Sequence, residues 1–166
     1  MADVKNKTTE IDNLYASDIE DRNQINWGDE NAVNKLREKD KERKQKAKEL
    51  IENGSLISGL DFHHAALVFQ HGETTEDYKL AHELAEKAVD LGDETAKWLY
   101  AATFDRWLLS ENKSQKYGTQ FKQNENGEWE IAQPIDPSVT DDERVKYNVP
   151  PLSEALRVYK EKYNIE

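Results

Sequence analysis

From Glu94 to about Ser110, the side chains of Ala96, Trp98, Leu99, Ala101, Ala102, Phe104, Trp107 and Leu108 point to nearly every side of a helix. A helix that is apolar all round is a buried one, so this segment is the spine around which the rest must pack. The flanking sequence supplies amphipathic partners. A first helix runs from about Thr9 to Asn23, with Ile11, Leu14, Tyr15 and Ile19 at helical spacing. Asp29 caps a second, which carries Val33, Leu36, Ala47, Leu50 and Ile51 to about Asn53 and stops at Gly54. Its charge run, Lys39 to Lys48, reads as a solvated face laced with ion pairs. Asp61 caps a third helix with Phe62, Ala65, Ala66 and Phe69 inward, ending at Gly72. Thr74-x-x-Asp77 is a capping box for a fourth, which turns Ala81, Leu84, Ala85 and Ala88 inward and leaves His82 on a polar face. Asp93 then caps the spine.

After the spine the period changes. Tyr117 to Lys122 and Glu128 to Ile131 are short strands joined through Asn126-Gly127, a pair that tolerates the positive φ angles of a tight hairpin. Two strands are marginal alone, so Phe121, Trp129 or Ile131 must pack on helices. Thr140-x-x-Glu143 opens a short helix, and after Val149-Pro150-Pro151 Ser153 caps a last one bearing Leu156 and Tyr159.

Composition narrows the function classes. Charged residues are 34 % of the chain, above the roughly 25 % of an average domain, and 23 Lys+Arg against 34 Asp+Glu give a net charge of −11. Four Trp, seven Tyr and four Phe supply enough burial area to fold a polar chain. No apolar run approaches the ~18 residues of a membrane span, and Met1 to Asn6 lack the apolar stretch of a signal peptide. The expectation is therefore a soluble, cytoplasmic protein with no membrane partner. An acidic surface opposes phosphate backbones, which argues against nucleic acid. With no cysteine, disulfides, thiol nucleophiles and Cys-ligated zinc drop out.

Gln70-His71-Gly72, Asp105-Arg106, Gln115-Lys116-Tyr117-Gly118-Thr119-Gln120 and Val149-Pro150-Pro151-Leu152 follow one another at intervals that resemble a bacterial family catalogued as a domain of unknown function. Its recurring core is a Gln-His pair, an Asp-Arg pair and a Gln-(Arg/Lys)-Tyr-Gly-Thr-Gln segment; Asp18-x-x-x-Arg22 and the Asp40 region are similar to its N-terminal part. The resemblance spans about Leu14 to Leu156 and implies no activity. Gly54-Ser55-Leu56 departs from a Gly-Trp-Pro that members often carry before the third helix. Ala65 to Ala101, with Asp77, Ala81, Ala85, Ala88, Gly92 and Ala96, also resembles a Sel1-like helical repeat, though too few repeats exist for a solenoid. The expected fold is mainly α. Residues 1–8 form a flexible N-terminus, and 9–166 form a single compact bundle with Sel1/TPR-like antiparallel helix pairs and a hairpin at about 117–132.

Ionisable residues on apolar stripes are the candidates for function. Asp18 and Arg22 extend the first stripe, Asp40 and Arg43 interrupt the second, and Asp105 and Arg106 lie within the spine. Burying an unpaired charge costs several kcal/mol, so such groups pair with one another or face a site. Asp18, Arg22 and Asp40 form a structural polar cluster on this reasoning. His71 serves either as a helix C-terminal cap or as a general acid/base oriented by Asp105. Arg106 would hold an anionic group, with Gln70, Gln115, Tyr117, Thr119 and Gln120 as a polar wall, or these residues cap helix ends at the hairpin. His63 and His64 are adjacent and cannot share a helix face, and no i,i+4 histidine pair exists, so no metal site and no cofactor is assigned.

Two functions follow from this pattern. One is a small-molecule or peptide site with possible acid/base chemistry at His71 and Asp105. The other is an acidic helical interaction module, an adaptor or immunity-type protein that engages a basic partner.

Overall fold

No residue of the spine helix is exposed, as its all-round apolar pattern requires. The computed structural model describes residues 9–165, and the expected flexible segment 1–8 lies outside the described residues. Its helices are α1 (Glu10–Gln24), α2 (Glu30–Glu52), α3 (Gly59–Phe69), α4 (Thr75–Asp90), α5 (Lys97–Ser110), α6 (Asp141–Lys146) and α7 (Leu152–Tyr163). A single 3-10 turn, Glu94–Ala96, leads into α5, the spine. Strands β1 (Phe121–Gln123) and β2 (Trp129–Ile131) pair antiparallel, with Phe121 opposite Ile131. The fold is thus mainly helical with one small hairpin near the C-terminal part.

Most helix starts lie where the caps put them. Thr9, Asp29, Thr74 and Thr140 each accept a backbone N–H of the first turn, and Thr9 and Thr74 complete capping boxes with Asp12 and Asp77. Two differ. The α3 cap is Ser58, and Asp61 is instead the third helical residue, reaching back to the N–H groups of Ile57 and Ser58. Ser153 does not cap α7. That helix starts after Pro151, and the Asp141 carboxylate accepts its first free N–H, from Leu152, at 2.9 Å.

Two apolar clusters share α5. On one side Leu99 packs with Ile11, Leu50, Val68, Phe69 and Leu84 from α1 to α4. On the other, Ala101 meets Tyr117, Val139 and Val149 from the C-terminal third. Tyr100 touches both. Ile19, expected inward, is 40 % exposed. The α3–α4 turn is tight: a Cβ on Gly72 would come within 2.3 Å of Asp77, so only glycine fits. The hairpin turn uses positive φ at Gly127 alone; Asn126 does not share it. Phe121 and Trp129 pack on Tyr159 of α7, ring centroids 4.1 Å and 5.2 Å away.

His82 is not on a polar face. It is buried against Tyr100, Phe104 and Trp107, and Nδ1 donates to the Tyr100 carbonyl at 3.2 Å. Burial lowers its pKa from 6.5 to about 4 against that hydrogen bond. Between those values the unfolded chain binds the proton and the folded one does not, so stability falls as pH falls through this window. The loss amounts to about 3 kcal/mol. His82→Phe keeps a ring in place and removes the titration. In urea denaturation at pH 7 and pH 4 the native protein should lose about 3 kcal/mol more than the variant; equal losses would show that His82 charges freely in the fold.

Candidate functional site

Asp105 is fully buried in α5 and organises the segment that follows. Oδ1 accepts the N–H groups of Lys116 (2.6 Å) and Tyr117 (2.8 Å); Oδ2 accepts the Thr119 N–H (2.9 Å) and hydroxyl (2.7 Å). The hydroxyl in turn accepts from Gln120 Nε2 at 3.1 Å, which directs its own hydrogen at the carboxylate. Burial raises the Asp105 pKa against the pull of these donors. Gln115, equally buried, accepts the Gln120 N–H through Oε1 and donates Nε2 to the Ala132 carbonyl. Together they fold residues 115–120 into a loop latched to α5 and to the hairpin. Gly118 permits its course, with φ +74° and a Cβ position 2.8 Å from Leu152 of α7.

His71 is not Asp105's partner. It follows the C-terminus of α3, and Nδ1 lies 2.9 Å from Asp18 and 3.1 Å from Arg22 Nε. Arg22 bridges Asp18 (3.1 Å) and Asp40 (2.8 Å), and Arg43 joins Asp40, Asp18 and Asp21. Burial raises Asp18, but His71, Arg22 and Arg43 outweigh it and hold its carboxyl below the ordinary range. The network fastens α1, α2 and the end of α3, and its charges answer one another. Arg43 and Asp21 belong to it besides the expected Asp18, Arg22 and Asp40. His63 pairs with Asp93 (2.8 Å), and His64 pairs with Asp12 (2.7 Å) while stacking on Tyr15. Among the described residues no group of three or more His, Asp or Glu is placed to hold a metal ion.

Arg106, next to Asp105, is a different case. It is half-buried and forms no ion pair among the described residues. Nε donates to Gln120 Oε1 (3.2 Å) and Nη1 to the Gln70 carbonyl (2.7 Å); Nη2 has no acceptor there. Burial lowers its pKa, Tyr78 and Tyr163 oppose, and nearby Arg22 adds to the effect. The guanidinium lines a cavity of about 200 Å³ enclosed by α5, the 115–120 loop and α7. Gln70, Thr119 and Gln120 share its polar end; Trp98, Phe121, Ala155 and Tyr159 supply an apolar wall. Lys162 and Tyr163 lie at its exposed side, the Lys162 ammonium 4.5 Å from the Trp98 ring. Among the described residues no aspartate or glutamate lines it.

No family model, curated protein or solved structure matches this chain.

Of the expected site residues, then, Gln70, Arg106, Thr119 and Gln120 come together around the cavity. His71 and Asp105 do not line it. Gln115 and Tyr117 are buried behind it, Tyr117 packed against Phe104 and Tyr147. The α7 wall was not among the expected residues. Its signal was present as Ala155, Val158, Tyr159 and Lys162, spaced three and four apart on one face.

The two buried acids and the arginine should respond differently to removal. Asp105→Ala strands three backbone donors and should cost about 3–5 kcal/mol in urea denaturation. Asp18→Ala leaves Arg22 on Asp40 and Arg43 on Asp21 and Asp40, so it should cost less, about 1–3 kcal/mol. Arg106→Gln removes a half-buried cation with no counter-ion and should change stability by less than about 1 kcal/mol. A loss at Arg106 as large as at Asp105 would make it a structural group.

Proposed function

We propose that this chain binds a small organic anion in the cavity beside α7, with Arg106 as its anchor. The observation that carries this reading is a half-buried arginine with no ion pair among the described residues, on a cavity that no described Asp or Glu lines, in a chain with net charge −11. A partly desolvated guanidinium with no counter-ion gains from a bound anion a charge-assisted hydrogen bond in surroundings that screen it less than open water does. Gln120 and the Gln70 carbonyl fix the orientation of the fork, leaving Nη2 to donate. The segments that carry the family resemblance supply Gln70, Arg106 and Gly118 to Gln120 to this one cavity.

Binding is favoured over acid–base catalysis because the two expected proton-transfer groups lie elsewhere. His71 and Asp18 form a dyad within the α1–α2–α3 network, and Asp105 is consumed by the loop. The interaction-module alternative rests on net charge alone.

The test is a titration of the native protein with panels of organic carboxylates, phosphates and sulfonates, followed by tryptophan fluorescence. At least one class should bind saturably. Arg106→Gln should weaken it by about 10- to 100-fold, the loss of about 1.5–3 kcal/mol for a charge-assisted hydrogen bond. Binding that ignores Arg106→Gln, or no binding in any class, would end this reading.

A further inference from the structure

We infer that the anion is a monocarboxylate carried on a single aromatic ring. This rests on the anion-binding reading and makes it specific through size, charge and the chemistry of the walls. A cavity of about 150 Å³ takes one benzene molecule. The cavity here, about 200 Å³ and open on the Lys162–Tyr163 side, holds a ring with one small substituent.

Charge selects the substituent. Arg106 has Nε and one Nη1 hydrogen committed to Gln120 and Gln70, so one edge of the guanidinium remains for the ligand. Its neighbours at the polar end, Thr119 and Gln120, are neutral. At the polar end one half-buried cation meets one negative charge, and Lys162 adds a weaker attraction from the exposed side, its ammonium over Trp98. A phosphate monoester, with close to two charges, carries more charge than the free edge of Arg106 takes up. A planar carboxylate also matches the fork geometry of the arginine.

The walls select the body. Trp98, Phe121 and Tyr159 present ring surface, with Phe121 and Tyr159 already stacked at 4.1 Å and 17°. A flat ring gains offset or edge contacts there that an aliphatic chain of equal area does not. With the carboxylate at Arg106, the ring lies between Trp98 and the Ala155–Tyr159 face of α7.

The experiment titrates the full chain with phenylacetate, isovalerate, phenyl phosphate and benzylamine by calorimetry. Phenylacetate should bind one to one, at least tenfold tighter than isovalerate or phenyl phosphate, and benzylamine should not compete. Ala155→Leu fills the apolar half and leaves Arg106 intact, and it should reduce phenylacetate binding at least tenfold. Lys162→Glu, at an exposed position, should weaken it several-fold without altering the melting temperature. Isovalerate or phenyl phosphate binding as tightly as phenylacetate would overturn the aromatic monocarboxylate while leaving an anion site in place. Failure of all three anions, or binding indifferent to Ala155→Leu, would overturn both.

Discussion

Asp105 receives three backbone N–H groups and a hydroxyl from a stretch of four residues, Lys116 to Thr119, and this contact fixes where the C-terminal third of the chain lies. A loop with unpaired N–H groups cannot be buried. The carboxylate removes that obstacle, so Tyr117 enters the second apolar cluster and Thr119 and Gln120 are held beside Arg106. The hairpin then follows through Gln115, whose side chain donates to Ala132. With the hairpin in place, Phe121 and Trp129 provide the surface on which Tyr159 and α7 rest. Each wall of the cavity therefore traces back to one buried acid that never touches the cavity itself.

The contrast between adjacent residues is the informative part. Asp105 and Arg106 look like a ready-made ion pair, yet consecutive helical positions point about 100° apart. One turns to the loop and the other to the cavity, and neither neutralises the other. In the α1–α2–α3 network the reverse holds: Asp18 meets Arg22 four residues on, and Arg43 and His71 complete its coordination. Buried charges that answer one another describe a fastening. A half-buried charge whose donors outnumber its acceptors, as at Arg106, is what the proposed binding reading rests on.

The helical layout was legible in the sequence because caps and stripes are local. Thr9, Asp29, Thr74 and Thr140 needed only the next three residues to act. The α7 start was not legible, because its cap, Asp141, comes from eleven residues upstream in another helix. His82 was misplaced for a similar reason: a polar residue on a helix edge gives no sign that Tyr100, Phe104 and Trp107 of the next helix will close over it. The site was half legible. Arg106 stood out as an ionisable group among apolar neighbours, and Gln70, Thr119 and Gln120 entered through the segments that carry the resemblance, while the partner of His71 depended on how α1 crosses α3, which no spacing records.

The anion site we propose, in a chain of net charge −11, would set two ranges of electrostatics against each other. The summed surface charge repels an anionic ligand at a distance and slows its arrival. At physiological salt that field decays over about 8 Å, so it matters little once the ligand reaches the mouth. Inside, the balance is set by what lines the wall, and there the charged residues are Arg106 and Lys162, with no acid among the described lining residues. A half-buried guanidinium is screened far less than the surface carboxylates, so the local attraction dominates the bound state. For the proposed ligand the acidity would then act as a filter: it discourages polyanions, which feel the long-range field in proportion to their charge, more than a monoanion with an apolar body.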